Sequence, residues 1–257
     1  MSRALDHTWQ DNLPEREVFI MSIVLITGAG RKGNLGFETA KQLGEKGYTV
    51  ILAARREAEL KALTEELQGN GIDASYIVLD ITDEESARQA ASAVAKEYGR
   101  IDVLVNNAAL MKAGGSIEQE SIELMKETFD TNVIGAWNVT QKFLPLLKKS
   151  EHPRIVNVSS GAGSYDDPDY GLRYGKFGAM GYGISKLALN GLTVKMARDL
   201  SPYGILVNSV CPDVTDTYGG GFGRKVEDSA KSVIWAVELP KDGPTGGFFR
   251  DGKELPW

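Results

Sequence analysis

The chain is short of the side chains on which much hydrolytic and metal chemistry rests. Its 257 residues include two histidines, His7 and His152, and one cysteine, Cys211. A single cysteine excludes an internal disulfide and fits a reducing, cytoplasmic setting. His7 lies in a polar N-terminal stretch, and His152 in the loop-like segment Lys148–Arg154. A Ser-His-Asp hydrolase or a histidine-rich metal site therefore has little to build on, and no metal is expected. If the chain is an enzyme, its acid and base are other residues. The formal net charge is −6 with no basic stripe, which disfavours nucleic acid as a partner. No apolar run approaches the ~20 residues of a membrane span, so no membrane partner is expected. Residues 1–20 lack the basic start and apolar middle of a signal peptide and read as an arm, tag or loose extension. There is no proline-rich linker and no internal repeat, so 21–257 read as one domain.

What is present is alternation. Apolar strands such as Ile23-Val24-Leu25-Ile26 and Val50-Ile51-Leu52-Ala53-Ala54 are separated by amphipathic helices, among them a long one over 121–149 expected to kink at Pro145. Strands apolar along their whole length, joined by helices, imply a parallel sheet buried on both faces. The reading is α/β: a single doubly wound domain, about seven strands in a parallel sheet with helices on both faces. Ligands are then expected at the carboxyl ends of the strands.

The first strand runs into Thr27-Gly28-Ala29-Gly30-Arg31-Lys32-Gly33-Asn34-Leu35-Gly36. Glycines between a strand and a helix let backbone approach a pyrophosphate, which the helix N-terminus then attracts. A P-loop is excluded, because Asn34 stands where a lysine must reach the phosphates. Dinucleotide folds that prefer NAD place a carboxylate after the second strand. Here Arg55 and Arg56 stand there, with Arg31 and Lys32 in the first turn. Cations at a helix start oppose its dipole, and these four suit a 2′-phosphate. The expected cofactor is NADP(H).

Several further motifs occur in a fixed order. Asp80-Ile81-Thr82 follows the third strand, and Asn106-Asn107-Ala108-Ala109 the fourth. Asn132 lies in a helix, Ser160 ends the fifth strand, and Tyr182 and Lys186 stand four residues apart. From Ser22 to the C-terminus the chain resembles the short-chain dehydrogenase/reductase family, in its carbonyl-reductase-like branch. The resemblance implies a Rossmann domain with Asn132, Ser160, Tyr182 and Lys186 as catalytic residues. It implies cofactor contacts from Gly28, Arg31, Lys32, Gly33, Asn34, Leu35 and Gly36, and from Arg55, Arg56, Asp80 and Ile81. Asn107, Ala108, Ala109, Tyr182, Lys186, Pro212, Val214 and Thr215 complete that set. Asn132 would organise a water leading protons toward Lys186. The chain departs from the family in a longer glycine turn, in Asp213 where glycine usually follows the proline, and in a longer loop between Ser160 and Tyr182.

Residues i and i+4 share a helix face, so Lys186 can stand beside Tyr182. A free phenol titrates near 10, and a neighbouring cation is expected to lower that into a useful range. Tyr182 would then shuttle the proton, and Ser160 would hold the carbonyl oxygen. Leu110, Met111, the aromatic side chains Tyr165, Tyr170, Tyr174 and Phe177, and Tyr218 with Phe222 are expected to line an apolar substrate pocket. Gly219-Gly220-Gly221 would hinge a lid over it. The expected partner is a small-molecule carbonyl or alcohol. Homodimer or homotetramer is implied by the family, with a monomer left open by the loop before Tyr182. A non-catalytic NADPH-binding sensor or scaffold, enoyl reduction and epimerisation stay open beside carbonyl reduction.

Overall fold

The computed structural model describes residues 22–112, 115–174 and 179–257. The stretch 1–20, read above as an arm, lies outside them. Strands β1 (Ile23–Thr27), β2 (Thr49–Ala54), β3 (Ala74–Val78), β4 (Val103–Asn106), β5 (Arg154–Val158), β6 (Leu206–Val210) and β9 (Phe248–Arg250) are parallel, in the spatial order β3-β2-β1-β4-β5-β6-β9. The order reverses between β1 and β4, which opens a crevice at the carboxyl ends of those two strands. The seven parallel strands match the sequence reading. An eighth, β10 (Lys253–Glu254), adds antiparallel to β9, and two-residue strands β7 (Thr215–Asp216) and β8 (Arg224–Lys225) pair separately.

Period-two alternation divides the core between the faces of the sheet. On one face Val24, Ile26, Val50 and Leu52 pack against α1 (Leu35–Glu45), α2 (Glu57–Gly69) and α7 (Val226–Val237), through Phe37, Leu60 and Val233. On the other, Leu25, Ile51, Leu104 and Ile155 pack against α3 (Glu84–Tyr98), α5 (Ala136–Leu147) and α6 (Met180–Leu200), through Val94, Phe143 and Leu200. Each of the large side chains buried there contributes roughly 1.5–3 kcal/mol.

The helix expected over 121–149 is three pieces. α4 (Ile122–Phe129), capped by Ser121 Oγ accepting from Leu124 N, passes into a π-helical turn over Asp130–Gly135 and then into α5. The departure from α-helix is this turn, not Pro145, which sits near the end of α5. Widened turns of this kind re-aim side chains, and here the turn carries Asn132.

Candidate active site

The first turn is built around close backbone approach. Gly28 has φ +69°, and a Cβ there would lie 2.7 Å from Ala108 Cα. A side chain at that position would be strained and would also collide with backbone. Thr27 Oγ1 accepts from the amides of Asn107 and Ala108, both at 3.0 Å, and Asn107 Nδ2 donates to Thr27 O at 2.7 Å. These bonds lock the end of β4 against the end of β1. Asn34 caps α1, accepting from Phe37 N at 2.8 Å while its amide donates to Gly28 O at 2.9 Å. Where a P-loop would place its lysine, this chain uses the side chain to close its own turn.

A groove of about 480 Å³ runs along this crevice. Gly28, Arg31, Asn34 and Leu35 form one wall, and Arg55 and Arg56 stand at the end of β2. Asp80 and Ile81 follow β3, and Asn107, Ala108 and Ala109 follow β4. Gly30 of the glycine turn and Thr82 of the segment after β3 join the lining as their motifs imply, and Ala54, Leu79, Glu127, Thr131 and Thr217 join it without having been expected there. Ala54 could have been found in sequence, since it immediately precedes Arg55.

Other expected cofactor residues stand elsewhere. Lys32 is turned outward to Glu66 at 2.8 Å, and with Gly33 it lines a neighbouring cavity. Gly36 packs under the groove, where a Cβ would meet Asn107 Nδ2 at 2.5 Å. Thr215 is 2.9 Å from Ser229 on α7, through their hydroxyls. Pro212 is buried and Val214 half-buried. Between them Asp213 takes φ +64° and accepts from Val214 N, so it keeps a glycine-like backbone at a glycine's family position.

The four expected catalytic residues form one connected cluster. Ser160, just beyond β5, shares a hydrogen bond with Tyr182 in the first turn of α6. Lys186 is 2 % exposed, and its Nζ donates to Val158 O at 2.7 Å. Asn132 accepts from Leu110 N at 2.7 Å and donates to Leu110 O at 3.0 Å and Ser185 Oγ at 2.9 Å. Ser185 Oγ in turn donates to Tyr182 O at 2.7 Å. Leu110 also lines the groove, so the cluster and the groove share a wall.

One expectation about these residues is corrected. Burial pushes the Tyr182 phenol up to about 12, the Ser160 hydrogen bond only partly opposing this and Cys211 adding to it. The phenol is therefore less acidic than a free tyrosine, because desolvation is the largest influence on it. Burial also brings Lys186 down to about 8. Asn132, through an amide whose hydrogens serve Leu110 and Ser185, joins the segment after β4 to α6.

Among the described residues, most of the aromatic side chains expected to line a substrate pocket stand exposed. Tyr218, Phe222 and Tyr174 are 87 %, 80 % and 61 % exposed, and Met111 and Tyr165 are exposed as well. Tyr170 is half-buried beside Arg250, 5.8 Å from its ring centroid. Phe177 lies outside the described residues. The Gly219–Gly221 turn is tied, with Asp216 accepting from Gly220 N at 2.9 Å and Gly221 N at 2.6 Å, so it does not have the slackness of a free hinge.

Some contacts around the site had no signal in the sequence. Arg250 Nη2 donates to Asp167 Oδ2 at 2.7 Å and Cys211 Sγ at 3.3 Å, and Gly161 N donates to the same sulfur at 3.2 Å. This binds the C-terminal strand to the turn after Ser160. Glu120 accepts from Gly181 N at 2.9 Å, capping α6 beside Tyr182. His152 lies before β5, away from these residues. Among the described residues no His, Cys, Asp and Glu gather in a group able to hold a metal ion, and no helix is long and apolar enough to cross a membrane.

A doubly wound sheet with a glycine-turn groove beside a Ser, Tyr and Lys cluster defines an oxidoreductase of the Rossmann type. The model of the short chain dehydrogenase family matches residues 22–221, and the chain belongs to that family. The short-chain dehydrogenase anuI of Penicillium roqueforti is 33% identical over 226 residues, which cover 84% of this chain and 88% of that protein. The 3-oxoacyl-[acyl-carrier-protein] reductase FabG of Staphylococcus aureus is 32% identical over 198 residues, 75% of this chain and 76% of its own. Among solved structures, the NADPH-bound carbonyl reductase from chicken fatty liver superposes with a TM-score of 0.81 at 28% identity, covering 93% of this chain and 100% of that one.

Proposed function

We propose that the protein is an NADPH-dependent carbonyl reductase, reducing ketones or aldehydes to alcohols in a reversible reaction. The observation that carries the reading is the Ser160–Tyr182 hydrogen bond beside buried Lys186, at the end of a groove with arginines in the place of an acidic residue. NADPH in a homologous carbonyl reductase and ketone chemistry in the name of a bacterial relative support it.

The groove residues fit a dinucleotide. Gly28 gives backbone room for a pyrophosphate, and Arg55 and Arg56 offer donors to a 2′-phosphate. When bound, that cofactor supplies a hydride to the carbonyl carbon. The chain's own residues handle the charge that develops on oxygen. Ala162 N donates to Ser160 Oγ at 3.2 Å, and the hydroxyl, bonded to Tyr182 in this structure, would turn its proton to the carbonyl oxygen of a bound substrate. Tyr182, pushed up to about 12, is protonated at neutral pH and is thus ready as the acid of the reduction. Lys186, brought down to about 8, can give up a proton toward the phenol after turnover. Asn132 fixes α6 relative to the segment after β4. The expected partner is a small carbonyl compound. Pairing of two copies through the long helices is supported by exposed Ile134, Trp137 and Val194.

Following NADPH absorbance against a panel of ketones, aldehydes and enones tests the reading. Oxidation with saturated ketones or aldehydes supports it. Turnover of enones alone favours enoyl reduction, and tight NADPH binding without turnover favours a sensor.

A further inference from the structure

Arg31 is a groove cation that touches the segment after β6. Its Nη1 donates to Thr217 O at 2.9 Å, and its guanidinium carbon lies 4.4 Å from the centroid of the Tyr218 ring. Both partners belong to the segment after β6, far from the glycine turn in sequence. Thr217 and Arg31 line the same groove as Arg55 and Arg56. The segment is itself held in shape, since Asp216 accepts from Gly220 N and Gly221 N directly after Tyr218. Tyr218 is nevertheless 87 % exposed, so packing does not account for an aromatic residue there.

We propose that Tyr218 is a positioning residue for nucleotide specificity: its ring holds Arg31 at the groove so that the guanidinium meets the 2′-phosphate that distinguishes NADPH from NADH. A guanidinium resting on a ring face and fixed by one backbone carbonyl has few rotamers left to lose on binding. Its remaining donors are directed by that one bond, and the ring leaves them unengaged. This inference rests on the NADPH reading above. It adds that the choice of nucleotide is shared between the glycine turn and a segment that follows β6, so the part of the chain over the site reads the cofactor's far end.

The test measures dissociation constants of the full chain for NADPH and NADH, from energy transfer between protein tryptophans and the reduced nicotinamide. Three proteins are compared: the parent, Tyr218→Ala and Tyr218→Phe. Tyr218→Ala is expected to weaken NADPH binding by roughly 3–10-fold and to leave NADH within about twofold. Tyr218→Phe, which keeps the ring, is expected to stay within about twofold of the parent for both. A parent that prefers NADPH while Tyr218→Ala keeps that preference, weakens both nucleotides equally or tightens NADPH would overturn the inference and leave the NADPH reading standing. A parent that binds both nucleotides equally overturns the NADPH reading, and the inference with it. The exposed position of Tyr218 makes misfolding an inadequate explanation of a selective loss.

Discussion

Lys186 donates its ammonium to the carbonyl of Val158 at 2.7 Å, and the same nitrogen lies 5.5 Å from the centroid of the Tyr182 ring. The lysine is thus moored to the end of β5 while standing over the residue it was expected to acidify. Burial lowers the lysine to about 8 and raises the tyrosine to about 12. The two groups share a desolvated site, and each is pushed toward its neutral form.

That mooring has a stability signature. Lys186 titrates lower in the folded chain than in the unfolded one, so between about pH 8 and pH 10.5 the unfolded chain holds more protons. Stability from this group therefore rises with pH across that window, by up to about 1.4 kcal/mol per pH unit. Lys186→Met should lack that rise. Urea unfolding of both proteins at pH 7.5 to 10 checks it, and parallel curves would show that Lys186 is not desolvated. Tyr182 acts with the opposite sign, its contribution being lost from about pH 10 upward toward 12.

Tyr182→Phe should lower kcat by at least about 100-fold, since it removes the proton donor and little volume. NADPH affinity should stay within about twofold. Steady-state kinetics with a nucleotide titration decide the matter, and near-normal turnover would remove Tyr182 from the mechanism.

Arg55→Ala should raise the Kd for NADPH by about tenfold or more, the worth of a hydrogen bond to a charged group, and leave that for NADH unchanged. Arg56 spends part of its capacity on Glu59 at 3.0 Å, so Arg56→Ala should cost less. Equal affinities of the parent for both nucleotides would defeat this.

Asn132→Ala should destabilise the fold by about 2–4 kcal/mol, because it strands both backbone groups of Leu110 and removes a donor from Ser185 Oγ, which keeps only its bond to Tyr182 O. Urea denaturation reads that loss. A change below about 1 kcal/mol would mean that the π-helical turn does not depend on this clamp.

Arg250→Met leaves the fully buried Asp167 carboxylate with its bonds from Asp169 N and Tyr170 N but without its cation. A loss of about 2–4 kcal/mol is expected, and Asp167→Asn in the same chain should restore part of it. A double-mutant cycle on thermal unfolding measures the coupling, and additive effects would rule out the pair.

The sequence by itself determined the sheet and the order of the motifs along it. Strands apolar throughout cannot face water on either side, and glycine at the first turn leaves room that no other residue offers. It also placed Arg55 and Arg56 beside the groove, because they directly follow β2. Only the tertiary structure decided what local spacing does not encode. The direction of Lys32 toward Glu66, the clamp of Asn132 on Leu110 and the bond between Asp167 and Arg250 each depend on a partner that folding brings near. The acidity of Tyr182 belongs with these. Helical spacing sets its neighbour, but depth of burial sets its proton affinity, and depth is a property of the packed chain as a whole.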